Sequence, residues 1–476
     1  MIRRVIALLL VVGSLATIFF YQPALGLVAG NPVKASEIEV AAQDLQLVCP
    51  GPVFKSQRNN VSRFSQEGGA RLLASLSQPN QTDATVTVFG KDKAALEQNL
   101  SELRLERGAA LKAAGAPNLA GSALLGATQF QRLETDWAGG LLATSCQRPS
   151  NDLWIVGGDT RTGREALLLL SNPSNVDATV EITILSTNGP ITAPGLSGVS
   201  VPKFQTTVIP LNGVVPSTAT LAIRVQSKGG AIGAWIQQRA VRGTKAAGID
   251  LISPVAPAAT ELVIPGFFVR GTKDTQTLQS GSDAFADITN LVRIVNPTDR
   301  EATVLVKVVG VTAQTFGTVI QQKVAANAVA DLEVTGIEDG DYAIYVSSDQ
   351  KVLASAKLNR TSLTATPNTE FTWLTAIAGF NGEQHIGVPS AGISKLAVAN
   401  PGKDPITVTV TNVTTTRSIK LAAGSATTLT LTPGTLVLKS DSLVSAAVIF
   451  DVRGSVANFP MVEYRNLGGR ISVLVQ

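Results

Sequence analysis

The stretch LLLSNPSNVDATVEITI, Leu168–Ile184, decides how this chain folds. It reads as an apolar strand, a turn at Asn172-Pro173, and a second strand. In that second strand Ala178, Val180, Ile182 and Ile184 share one face, and Thr179, Glu181 and Thr183 the other. The phrase returns as LVRIVNPTDREATVLVKV (Leu291–Val308), with Asn296-Pro297, and as KLAVANPGKDPITVTVTN (Lys395–Asn412), with Asn400-Pro401. A weaker copy, LLASLSQPNQTDATVTVF, occupies Leu72–Phe89. Proline fixes its own φ and disfavours helix just before it. An asparagine side chain can bond the backbone two residues on, so each pair is expected to end one strand and set the register of the next.

Around these phrases the chain reads as one β unit written four times, roughly one hundred residues apart. The fold class is therefore all-β: tandem immunoglobulin-like β-sandwich modules after an N-terminal transmembrane anchor or signal peptide. The alternative is a β-propeller, in which each unit supplies two four-stranded blades and the terminal ISVLVQ strand closes on the first. One strong phrase per hundred residues, rather than one per blade, favours the sandwich. The expected divisions are residues 1–30 (signal anchor or signal peptide), 31–44 (polar stalk), 45–151 (atypical first module with a helical insertion), 152–258, 259–378 and 379–476. The insertion is KDKAALEQNLSELRLERGAALKAAG, Lys91–Gly115. There Leu96, Leu100 and Leu103 recur at helical spacing and Asp92 stands where a cap would.

Composition narrows the function. Of 476 residues 45% are hydrophobic and only 16% charged, with a net charge of +4. A packed core is possible, and the exterior must be rich in Thr, Ser, Asn and Gln. No basic stripe with interleaved aromatics is present, so nucleic acid is not an expected partner. Arg3 and Arg4 precede an apolar run from Val5 to Tyr21 that would span about 26 Å as a helix. Positive charge before the run sends the remainder across the membrane. The length of the run favours a retained plasma-membrane anchor over a cleaved signal peptide, after which the protein would be secreted. In an exported chain the two cysteines, Cys49 and Cys146, are expected to form a disulfide.

DLWIVGGDTRTGREALLLLSNP, Asp152–Pro173, resembles the Trp, Gly-Gly, Gly-Arg, strand, Asn-Pro signature of an actinobacterial family of secreted, membrane-anchored proteins with a repeated domain of unknown function. The approach SCQRPSNDLW and the strand LVIPG, Leu262–Gly266, are similar to it as well. The resemblance covers most of the exported chain and is weakest over Lys91–Gln131. It implies an envelope location and an Asn-Pro β unit, and brings no catalytic residues.

Candidate chemistry is sparse. The one histidine, His385, has no G-x-S-x-G elbow to serve, and a zinc site lacks ligands once the cysteines pair. Gly157–Arg164, GGDTRTGR, could hold an anion between Arg161, Arg164 and backbone N–H groups, but reads more simply as a glycine-bearing hairpin connection. The acids of Glu338–Tyr342, EDGDY, fit an exposed turn better than a calcium site. Trp154 and Trp373, in DLWIV and FTWLT, occupy matching places in the repeat; core packing is expected there, with sugar stacking as the rival. No catalytic residue, metal site or cofactor follows. The reading is a membrane-tethered structural or interaction protein of the bacterial envelope, not an enzyme, whose partners are envelope proteins or cell-wall glycan. A carbohydrate-binding module array is the first alternative and a carboxylate-dependent glycan hydrolase the second.

Overall fold

In a computed structural model the described residues are 34–40, 44–57, 60–77, 83–114, 124–312, 315, 317–363, 368–452, 454–463 and 469–475. The expected anchor lies outside them, as does the Gln78-Pro79 turn. Among the described residues no helix is long and apolar enough to cross a membrane.

Strands account for nearly all the regular structure. In the second unit Asp152–Val156, Ala222–Gly229, Ala178–Ser186 and Gly189–Ile191 form one antiparallel sheet. Lys245–Ile252, Gly233–Arg242, Arg164–Asn172 and Gln205–Pro210 form the other. The third unit repeats this order with one strand, Gly340–Ser362, running through both sheets, and the fourth does the same with Gly434–Val452. Ala178–Ser186 shows the alternation its sequence dictates: Ala178, Val180, Ile182 and Ile184 are buried and Thr179, Glu181 and Thr183 exposed.

Each unit encloses its own core between its two sheets. The strand Arg164–Asn172 carries more than alternation, because Leu167 to Leu170 are all buried. Leu168 and Leu170 face the second unit's core. Leu167 and Leu169 face outward, into a second cluster with Val48, Phe89, Leu142 and Trp235 that joins the first unit to the second. Smaller clusters join second to third and third to fourth. Phe130, Leu141 and Ala143 of the first unit complete the fourth unit's core. At that last junction Gly126 lies so close to the His385 carbonyl that a methyl group in its place would collide with it, and Thr128 Oγ1 donates to the Gly387 carbonyl at 2.8 Å.

The four units therefore stand about one axis like the blades of a propeller, each blade two sheets thick. The innermost strands are Gly139–Ser145, Lys245–Ile252, Asn368–Thr375 and Ser455–Met461, each packed against the next around the axis. A row of separate immunoglobulin-like sandwiches is not what forms. The reason is that the strands before each Asn-Pro turn are buried on both faces, the outward face by a neighbouring unit. The terminal strand does meet the first described strand, as the propeller reading expected, but outside the blades. The strand Gly469–Val475 pairs with Lys34–Val40 in a ribbon of its own, and the ring closes by packing of the first unit on the fourth. That pairing makes a strand of part of the expected stalk, for which a remote partner was needed.

The helical insertion is likewise overturned. Lys93–Ala95, Leu100–Leu105 and Ala109–Ala113 are strands. Leu103 and Leu105 point inward between exposed Glu102 and Arg104, so the leucines satisfy a period of two once Ala70–Leu76 is there to pair with.

Candidate functional site

The Gly157–Arg164 segment is not a hairpin. It carries the chain from one sheet of the second unit to the other, and Gly157, at φ 153°, lies against the Trp373 ring of the third unit, where a side chain would crowd. The Asp159 N–H donates to Gln238 Oε1 at 2.7 Å, and Arg161 grips the Asp159 carboxylate with Nε and Nη2 at 3.1 and 2.7 Å. A cavity of about 420 Å³ opens beside this loop, between the second and third units. Arg161, Arg164, Arg293, Lys357, Phe371 and Trp373 are among the residues lining it.

Two kinds of cation meet there. Arg293 is saturated: it forks onto Asp331 at 2.7 and 2.8 Å and donates to the carbonyls of Gly158, Ala219 and Leu221. Its guanidinium also lies 4.8 Å from the Trp373 ring centre. This residue ties the third unit to the second. Around Asp287 the balance is different. Arg164 and Arg242 both bond its one carboxylate, the latter at 2.7 Å, and Lys357 Nζ donates to its backbone carbonyl at 3.2 Å. Lys357 also lies over the Phe371 ring at 5.5 Å. Burial, then repulsion from Arg164, pushes the Lys357 ammonium down to about 7. Burial, reinforced by Arg164, lowers Arg242 to about 10.

A second buried polar group sits on the axis. Glu370, on the third unit's inner strand, accepts the Ile249 N–H of the second at 3.0 Å. It also bonds the backbone of Leu141 in the first unit and the side chain of Ser455 in the fourth. All four units thus converge on one carboxyl group. Burial raises its pKa well above the usual carboxylate value, and nearby Asp250 adds to the rise. Asp250 is pushed up to about 7 by burial, against the N–H groups of Trp373 and Leu251 and the Thr372 hydroxyl. Glu370 is 2% exposed and Asp250 1%. They are keystones of the packing, placed where no glycan could reach them.

The remaining sequence candidates fall into place one by one. Cys49 and Cys146 are bonded and fully buried. Asn172, Asn296 and Asn400 are each 0% exposed. Asn296 Oδ1 accepts the Thr298 N–H and hydroxyl at 3.1 and 2.7 Å, and its amide donates to the carbonyls of Arg300, Val324 and Ala325. Asn172 and Asn400 repeat this, with Ser174 and Gly402 as the local donors. The local Asx turn is as the sequence implies; the bonds to a second chain segment are more than it implies. Trp154 and Trp373 are not equivalent. Trp154 lies on a first strand, half-buried with Arg224 5.8 Å above its ring, and Trp373 on an inner strand, 5% exposed. Trp154 carries Arg224 over its ring, whereas Trp373 lines the cavity. His385 bonds Glu383 at 2.6 Å. The acids of EDGDY diverge: Asp341 pairs with Arg270 and Lys395, and Asp339 accepts the N–H groups of Gly271 and Thr272. Among the described residues no three His, Cys, Asp or Glu gather as metal ligands.

Lys357, Asp287, Arg242 and Glu370 were not singled out from sequence. For Glu370 and Lys357 the signal was a charge inside a strand of mostly buried residues, which requires a buried partner, whereas Asp287 lies in a turn and Arg242 at a strand end.

A family described as a family of unknown function (DUF5719) matches residues 104–432. No curated protein matches the chain. A solved structure titled "Crystal structure of tetra-tandem repeat in extending region of large adhesion protein" is aligned at 12% identity over 86% of this chain and 93% of its own, with a TM-score of 0.11.

Proposed function

We propose a function for a chain that belongs to the family of unknown function DUF5719: a membrane-tethered, extracytoplasmic structural or interaction protein of the bacterial cell envelope. The observation that carries this reading is the fully buried Cys49–Cys146 bond in a chain that opens with two arginines and a long apolar run. Disulfides persist in oxidising compartments, and the charge order of the segment directs the chain beyond it outward. A closed ring with every unit braced on two neighbours supports a binding role, since it presents loops from a rigid frame. A hydrolytic role draws less support. Asp159, Asp287 and Asp331 are committed to arginines, and the carboxyls with raised pKa are sealed on the axis. The partners to seek are envelope proteins and cell-wall glycan.

The test is fractionation of cells expressing the full chain, with external protease and cross-linking. Membrane recovery, protease access from outside and an envelope cross-link are expected. Recovery in the cytosol with both thiols free would overturn the reading.

A further inference from the structure

We infer that the cavity between the second and third units binds a small molecule through an oxyanion group, a carboxylate or a phosphate, seated on Arg164 and Lys357. The inference does not depend on the envelope location and would stand or fall in purified protein.

Charge points there first. Of the ionisable groups around the cavity, Arg161 is matched by Asp159 and Arg293 by Asp331. Asp283 and Glu333 also line the cavity and are exposed to solvent. What is left inside is Arg164 and Lys357, both on Asp287: Arg164 shares that carboxylate with Arg242, which stands outside the lining and also donates to the Ala284 carbonyl, and Lys357 reaches only the Asp287 carbonyl. One carboxylate is shared by two arginines, with a lysine beside it. Arg164, Arg242 and Asp287 have side chains only 11%, 17% and 18% exposed, so solvent does little to replace the missing partner. Buried charges are ordinarily paired, because an unpaired one forfeits its hydration without replacement. Arg293, in the same lining, shows how fully this protein satisfies a cation that serves packing alone.

Shape agrees with charge. The volume of about 420 Å³ falls in the range of small-molecule sites. Phe371 and Trp373 stand two residues apart on one strand and both line the wall, so they supply an apolar surface next to the cations. An oxyanion bonded to Lys357 and Arg164 would relieve the sharing of the Asp287 carboxylate and leave the body of its molecule beside the rings. Arginine favours such groups because its planar fork matches two oxygens at once.

The test uses the purified full chain and two probes, inorganic phosphate and benzoate, in titration calorimetry at constant ionic strength set with sodium chloride. Saturable binding of at least one probe is expected, phosphate alone indicating a tetrahedral oxyanion and benzoate a carboxylate with an aromatic body. In Lys357→Met, which keeps length and apolar contact, binding should weaken by about tenfold, the effect of losing one charge-assisted hydrogen bond. A second measurement needs no variant: brief acylation with acetic anhydride, read by mass spectrometry, should modify Lys357 less when the bound probe is present. Saturation by neither probe, unchanged affinity in Lys357→Met, or acylation of Lys357 that the bound probe does not slow would each overturn the inference.

Discussion

Glu370 and Lys357 are both ionisable groups set inside the ring, and they are provided for in opposite ways. Glu370 collects bonds from the first, second and fourth units and has its charge suppressed by burial. Lys357 has one carbonyl, one ring face and cationic neighbours. The difference teaches how to tell a structural polar group from one held open for something else. A keystone is saturated by protein atoms, whereas a site retains unused bonding capacity next to a space.

That contrast can be broken by substitution. Glu370→Ala should have the largest effect, about 3–5 kcal/mol, since it strands buried donors from three units at once. Glu370→Gln keeps an acceptor and should cost clearly less. Urea unfolding of the full chain measures both, and equal midpoints for Ala and Gln would remove Glu370 from its keystone role. Asn296→Ala is the off-axis counterpart. One local hydrogen bond, all that the sequence implies, is worth about 1 kcal/mol. The structure gives this side chain five bonds at zero exposure, so about 2–3 kcal/mol is expected. A loss below about 1 kcal/mol in the same assay would mean that water or local shifts replace most of them.

Titration sharpens the comparison. Asp250 keeps its proton to about pH 7 when folded and loses it near 3.8 when unfolded. Its contribution to stability is present below about 3.8 and declines as pH rises to about 7. Lys357 loses its proton near 7 when folded and near 10.5 when unfolded, so its contribution rises with pH between those values. Together the two place a minimum of stability near neutral pH. Melting temperatures from about pH 4 to 10 should show it, with Asp250→Asn flattening the acid limb and Lys357→Met the alkaline one. If both limbs survive the substitutions, other groups set the profile. The smallest effect expected is that of Lys357→Met on stability near neutral pH, within about 1 kcal/mol of zero, because exchanging a poorly paired buried charge for an apolar chain removes a desolvation cost. A loss of several kcal/mol there would mark Lys357 as a keystone too.

Much of this architecture was legible. The alternation in Ala178–Ser186 and its copies marked half-buried strands, and the asparagine turns marked where they begin. The run LLLL at Leu167–Leu170 also carried the ring, for a strand buried on both faces must meet a second layer, yet an apolar run alone does not say which. Leu96, Leu100 and Leu103 fitted two periods, and only the partner strand Ala70–Leu76 chose between them. The cavity was legible in part. Arg161 and Arg164 stood out beside their glycines, and Trp373 proved to share the wall, but Trp154 did not. Asp287 and Lys357 come from distant segments whose meeting depends on topology.

The junction of the first unit with the fourth has a consequence in time. A chain made from its N-terminus completes the first unit long before the strands that carry Ile386 and Phe450 exist. Until then Phe130, Leu141 and Ala143 have no cover, and the close approach at Gly126 has nothing to approach. Apolar faces left open in this way invite wrong partners, and contacts between distant segments form slowly. The Cys49–Cys146 bond lies wholly within that early unit. It needs nothing synthesised later, so it can hold the first blade in shape while the rest of the ring is still arriving.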